Sequence, residues 1–106
     1  MPPPSLNDSD RRRATESAGQ ARAKRAALKR GLKDGSITLG TLLDQGEVDP
    51  VVARMPVVDV LAALPAHGRV KAADLMRQAA IAPNRRLGGL GHRQRQFLIE
   101  YLASRS

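Results

Sequence analysis

The sequence has no cysteine and no tryptophan, and it carries one Phe, one Tyr and two His. Without cysteine there is no disulfide framework and no thiolate zinc site, and a reducing cytoplasm is the expected setting. The two histidines, His67 and His92, form no cluster with metal-ligand spacing. No grouping of nucleophile, base and orienting residue is legible either, so no metal, no cofactor and no enzyme activity are expected. One Phe and one Tyr cannot build a stacking platform for bases, which argues against single-strand and RNA-recognition modules. No apolar run approaches the roughly 20 residues of a membrane span. The opening MPPPSLNDSD lacks a basic n-region followed by an apolar stretch, so no signal peptide is expected. No segment alternates apolar and polar residues long enough for a convincing strand. What these absences leave is a soluble, all-α chain of 106 residues, enough for one small domain.

What is abundant is positive charge, and it is segregated. The chain has 18 Lys and Arg against 10 Asp and Glu, a formal net charge of +8. Residues 1–35 carry nine positive and four negative side chains, residues 36–67 one and four, and residues 68–106 eight and two. Two basic ends around an acidic middle point to a polyanion met by two surfaces, most commonly nucleic acid.

Apolar residues divide the chain as sharply. Beyond Met1, residues 1–36 hold only Leu6, Leu28 and Leu32 as large apolar side chains, whereas residues 37–102 hold 24. Two parts are therefore expected: a basic helix over 1–35 with a disordered PPP tip, and a compact helical domain over 36–106. Asn7, Asp8 or Ser9 is a candidate cap of the first helix, and Gly35 or Gly31 its end. Ala14, Ala18, Ala21, Leu28 and Leu32 form one narrow face of it, too small to hold the N-terminal half without a partner. Arg22, Arg25 and Lys29 lie on the remainder as a second basic surface. Further on, Ser36 or Thr38 caps one short helix, and Asp49 followed by Pro50 starts another. VVDVLAAL, residues 57–64, is apolar nearly all round and belongs in the centre.

Two helices then begin just after glycine. LPAHGRVKAADLM, residues 64–76, turns at Gly68 and continues with Val70, Ala73, Met76 and Ala80 expected on one face. RRLGGLGHRQRQ, residues 85–96, turns through Gly88, Gly89 and Gly91 before FLIEYL, where Phe97 with Tyr101 and Leu98 with Leu102 stack at i, i+4. Arg69 and Lys71 in one first turn, and Arg93 and Arg95 in the other, oppose the dipole of their own helix. A phosphate bound between them and the unpaired amides removes that conflict, and glycine lets backbone approach it without a Cβ in the way. Arg85 and Arg86 then grip flanking phosphates or enter a groove. Taken singly, each turn is equally consistent with glycines that merely allow tight packing and arginines that keep the chain soluble.

The segments LPAHGRVKAADLM and APNRRLGGLGHRQRQFL and the basic N-terminal helix together resemble the actinobacterial, mycobacterial-type integration host factor family. That family comprises nucleoid-associated DNA-binding proteins unrelated in fold to the two-subunit host factor of enteric bacteria. The resemblance implies a long N-terminal helix and a small domain with a helix–two-turns–helix motif that binds duplex DNA through its backbone and bends it. It implies that Arg85 and Arg86 are the DNA-contacting pair. Gly68 with its neighbours, and Gly89 to Gly91, match the turns whose amides face phosphates. This chain departs at Gly88, where relatives often have a third basic residue, and at His67, where an aliphatic residue is usual. His67 is thereby a candidate polar contact of the first turn.

The expected partner is double-stranded DNA, bound with low sequence specificity by a monomer, several copies along the duplex, in the cytoplasmic nucleoid. No membrane and no small-molecule substrate are expected. Small-subunit ribosomal protein S13 carries the same motif, which makes ribosomal RNA the alternative. Such a protein is expected to end in an extended basic tail, unlike YLASRS. An interaction module for an acidic protein rests on charge alone, and a DNA glycosylase needs a catalytic domain that these residues do not supply.

Overall fold

The computed structural model describes residues 8–104, with side chains from Arg13 onward except that of Ala14. The PPP tip and Asn7 lie outside the described residues. Helix α1 spans Asp8–Asp34, α2 Leu39–Gln45, α3 Pro50–Ala53, α4 Val57–Ala62, α5 Arg69–Gln78 and α6 His92–Ser104, with a single 3-10 turn at Leu87–Gly89. Among the described residues there is no strand, only an isolated antiparallel bridge between Pro56 and Arg86. The fold is all-α.

Local signals set most boundaries. Gly35 ends α1 in the left-handed region at φ +86, where glycine has no Cβ penalty. Asp34 accepts the Ser36 N–H at 2.8 Å, and Ile37 folds back to donate its N–H to Gly31 O at 3.1 Å. That return passes so close that a Cβ on Gly31 would stand 2.5 Å from Ile37 Cδ1. Thr38 caps α2 by accepting the Thr41 N–H, and Asp49 caps α3 by accepting the Val51 N–H with Pro50 at the first position.

The core is built mainly by residues after Ile37, with α1 contributing its last two turns. Leu28 and Leu32 of α1 join Leu39, Leu42, Leu43, Val52, Met55, Val57, Val60, Leu61, Leu75, Met76, Ile81, Leu87 and Leu98 in one buried cluster. Ala18, by contrast, is exposed, so the alanine face contributes little burial and α1 extends away from the domain. The molecule measures 62 × 26 × 25 Å, as expected for a 27-residue helix of about 40 Å projecting from a small bundle.

The buried face of α5 differs from the expected one. Ala72, Leu75, Met76 and Ala79 are buried, whereas Val70 is 85% exposed and Ala73 and Ala80 are exposed. Leu75 offers more apolar area than Val70 or Ala73, so the helix turns about its axis to bury Leu75 beside Met76. Ala80 ends this helix at φ +57, and the Ile81 N–H donates to Met76 O at 2.8 Å, which drops Ile81 into the core.

Candidate nucleic-acid interface

The second turn, residues 83–94, is fixed by backbone. Val57 N–H donates to Arg85 O at 2.9 Å and Leu87 N–H to Met55 O at 3.0 Å, closing the bridge that clamps the arginine pair to the α3–α4 link. Arg86 Nη1 donates to Arg54 O at 2.7 Å. The Arg85 side chain runs over Gly89, where an added Cβ would meet Arg85 Cδ at 3.0 Å. Gly88 packs on the end of α3, and a Cβ there would meet Ala53 Cβ at 3.0 Å. The glycine at position 88 therefore coincides with a close helix contact. Gln94 completes the turn: its Oε1 accepts the Gly91 N–H at 2.9 Å, as in a capping box, and its Nε2 donates to Ala80 O at 2.8 Å. Helix α6 thus begins directly after Gly91, tied to the end of α5.

The first turn, residues 65–71, is held by fewer backbone bonds. Ala66 has φ +62, a left-handed conformation that costs a non-glycine residue about 1 kcal/mol. Its carbonyl accepts from Lys71 Nζ at 3.1 Å. The His67 N–H donates to Leu64 O, and His67 Nδ1 donates to Pro65 O at 2.7 Å. The ring turns inward and meets Tyr101 of α6 edge-on, with centroids 6.2 Å apart, and its Nε2 is buried without a hydrogen-bond partner. Gly68 caps α5 in an extended conformation with no side-chain hydrogen bond to the helix amides, unlike the caps of α2 and α3. A Cβ on Gly68 would meet nothing within 4 Å.

The basic residues of the two turns fall into two groups. Among the described residues, no carboxylate pairs with Arg85, Arg86 or Arg93, and all three are exposed. Arg69 is paired with Asp59 at 3.2 Å, although its side chain stays 73% exposed. Arg95 is bound at both ends of its guanidinium, to Glu47 at 2.5 Å and to Asp44 at 3.3 Å, and so faces α2 instead of the turn. On α1, Arg22 is exposed and Arg25 and Lys29 are half-buried. Lys24 on the same stretch pairs with Asp49, the cap of α3. The Lys24 ammonium holds the Asp49 carboxyl below its ordinary value, so this clasp between α1 and α3 persists above pH 3.8 and is lost only as pH falls through the lowered value.

Several contributors carry no motif: the Pro56–Arg86 bridge, the left-handed alanines, and the acidic partners Asp44, Glu47 and Asp59. Gln94 does carry a signal, since a glutamine three residues into a helix after a small cap is half of a capping box.

Residues 32–102 match the S13-like H2TH domain. The chain is 47% identical to the integration host factor of Mycolicibacterium smegmatis over 97 residues, covering 92% of each chain. It is 46% identical to that of Mycobacterium tuberculosis over 101 residues, covering 95% of this chain and 96% of the relative. With that of Streptomyces coelicolor it shares 36% over 91 residues, 86% of this chain and 85% of the relative. The fold is similar to the solved structure of sIHF bound to an 8 bp palindromic DNA, with a TM-score of 0.80 and 35% identity over 81% of this chain and 97% of that one. On this similarity along nearly its whole length, the chain belongs to the integration host factor family of mycobacteria and Streptomyces.

Proposed function

We propose that this protein is an architectural DNA-binding protein, not an enzyme, that grips duplex phosphates with its two glycine turns. Arg85 and Arg86 are the principal contacts, with Arg93 and the backbone of Gly89 to Gly91 beside them. The first turn contributes the free amides after Gly68 together with Lys71, and Arg69 once phosphate displaces Asp59. Arg95 and His67 serve as positioning residues: Arg95 holds α6 to α2, and His67 props the first turn on Tyr101. Arg22, Arg25 and Lys29 supply a second basic surface on α1, and DNA held by both surfaces is bent. The parts 1–35 and 36–106 thus differ in what they touch, although Leu28 and Leu32 pack into the domain core. The protein acts as a monomer, several copies along DNA, in the nucleoid. Phosphate contacts carry no base information, so sequence preference follows DNA shape and deformability.

One observation carries this reading: an arginine pair clamped by backbone on a glycine turn, with no carboxylate partner among the described residues, in a chain so similar to sIHF, whose solved structure holds DNA. The test is binding to a short fluorescent duplex at several salt concentrations, beside the single strand and a structured RNA. Tight duplex binding is expected to fall steeply with salt. In Arg85→Ala/Arg86→Ala, with its fold verified by thermal unfolding, the slope of log K against log salt is expected to shrink by about 1.8, or about 0.9 per lost phosphate contact. The S13-like domain makes structured RNA the competing ligand. A preference for that RNA, or indifference to the arginine pair, overturns the reading.

A further inference from the structure

The acidic middle of the chain, residues 36–67, has one basic residue, Arg54, and four carboxylates. The fold pairs all four carboxylates with cations from other elements: Asp44 and Glu47 with Arg95, Asp49 with Lys24, and Asp59 with Arg69. Arg54 is exposed, and among the described residues no carboxylate pairs with it. The segment's one cation is thus left without a counter-charge while its four anions are all engaged.

Its position explains what that cation is available for. Arg54 closes α3 at φ −85, ψ −7, immediately before the residues that bridge to the arginine pair. Its carbonyl receives the Arg86 guanidinium at 2.7 Å. The neighbouring Ala53 lies against Gly88, which draws the end of α3 close to the second turn. The backbone at Arg54 is thus joined to Arg86 and borders the turn that carries Arg85, and among the described residues none of these three arginines pairs with a carboxylate. Cations left without a counter-charge around one turn favour a polyanion there.

We propose that Arg54 is a third phosphate-gripping arginine of the second turn, taking the phosphate next to the one held by Arg86. This assignment rests on the duplex-binding reading above. It gives the turn a contact that arrives from the end of α3, 32 residues before Arg86 in sequence. Because the contact is to the backbone, its loss weakens all duplexes alike.

The experiment compares Arg54→Gln with Arg77→Gln on the full chain, using A·T-rich and G·C-rich fluorescent duplexes across a salt series. Both variants remove one exposed charge, but Arg77 stands in the last turn of α5, already paired with Asp74. Arg54→Gln leaves the carbonyl used by Arg86 in place, and unchanged thermal unfolding verifies the fold. The expected result is about tenfold weaker binding of both duplexes and a salt slope reduced by about 0.9, with Arg54→Lys restoring most of the slope. Arg77→Gln is expected to leave the slope nearly unchanged. If Arg54→Gln behaves like Arg77→Gln while Arg85→Ala/Arg86→Ala loses binding, Arg54 is a solubility charge and this inference fails alone. If the double variant also binds normally, the duplex-binding reading has failed with it.

Discussion

At Gly68 an added Cβ would meet no atom within 4 Å, whereas at Gly88 and Gly89 it would meet Ala53 and Arg85 at 3.0 Å. In the second turn, Gly88 is needed by the protein itself, because the end of α3 fills the space, whereas Gly89 leaves room for the flexible Arg85 side chain. At Gly68 the backbone is extended and any residue fits, so nothing inside the molecule asks for glycine. The first turn is therefore open at Gly68, where the proposed phosphate would sit, and the second fills its space with α3 and the Arg85 side chain. Among the described residues, Arg69 of the first turn is paired with Asp59, whereas Arg85 and Arg86 of the second pair with no carboxylate.

The largest separation of fold from function is expected at Gly68. Gly68→Asp supplies the side-chain cap that α5 lacks and stabilises the fold by a few tenths of a kcal/mol, about 0.5 at most. The same carboxylate occupies the space assigned to phosphate and repels it. Duplex affinity should fall by about 30-fold, roughly 2 kcal/mol, while the melting temperature holds or rises. Affinity unchanged in a protein with a raised melting temperature would mean that the first turn does not meet DNA.

Gly89→Ala tests the other turn. The methyl presses on the far part of a flexible side chain, so Arg85 moves aside at little cost in stability. Binding should weaken about fivefold to tenfold with a reduced salt slope, as for a phosphate contact partly lost. A large drop in melting temperature with the slope preserved would show that the glycine serves packing alone.

What could be read from sequence in these turns, and what could not, follows the range of the interactions. Thr38, Asp49–Pro50, Gly35 and the helix starts after Gly68 and Gly91 were legible because a cap or a turn is decided within about four residues. The Pro56–Arg86 bridge joins segments thirty residues apart and has no periodicity to announce it. Arg95 looked like its neighbour Arg93 until the fold placed Asp44 and Glu47 against it. Ala66 and Ala80 occupy left-handed positions where glycine is the usual sign, so alanine there gave no warning. The face of α5 was misread because Val70 and Ala73 fit the helical period as well as Ala72 and Leu75 do.

Gln94 ties the second turn to the end of α5, holding the Gly91 amide and the Ala80 carbonyl at once. Gln94→Ala removes two hydrogen bonds at an exposed site and should destabilise the fold by about 1 kcal/mol. Duplex binding should fall only severalfold, since the Pro56–Arg86 bridge still clamps the arginines. Thermal unfolding and a binding titration separate the two effects. A loss as deep as that of the arginine double variant would mean that the capping box, and not the bridge, sets the second turn.

The smallest effect is expected at Asp59, and its sign is the informative part. Asp59→Asn keeps the size of the side chain but releases Arg69, and an exposed pair of this kind contributes at most about 1 kcal/mol to stability. In the wild type, phosphate must displace Asp59 from Arg69, whereas in the variant it need not. Affinity should therefore rise by about twofold to fivefold at low salt, and the gain should fade as ionic strength screens the added charge. No equivalent gain is expected at Arg85 or Arg86, which pair with no carboxylate among the described residues. Weaker binding by Asp59→Asn would reverse the assignment: Arg69 would then be a brace like Arg95, and the first turn would meet DNA through its amides and Lys71 alone.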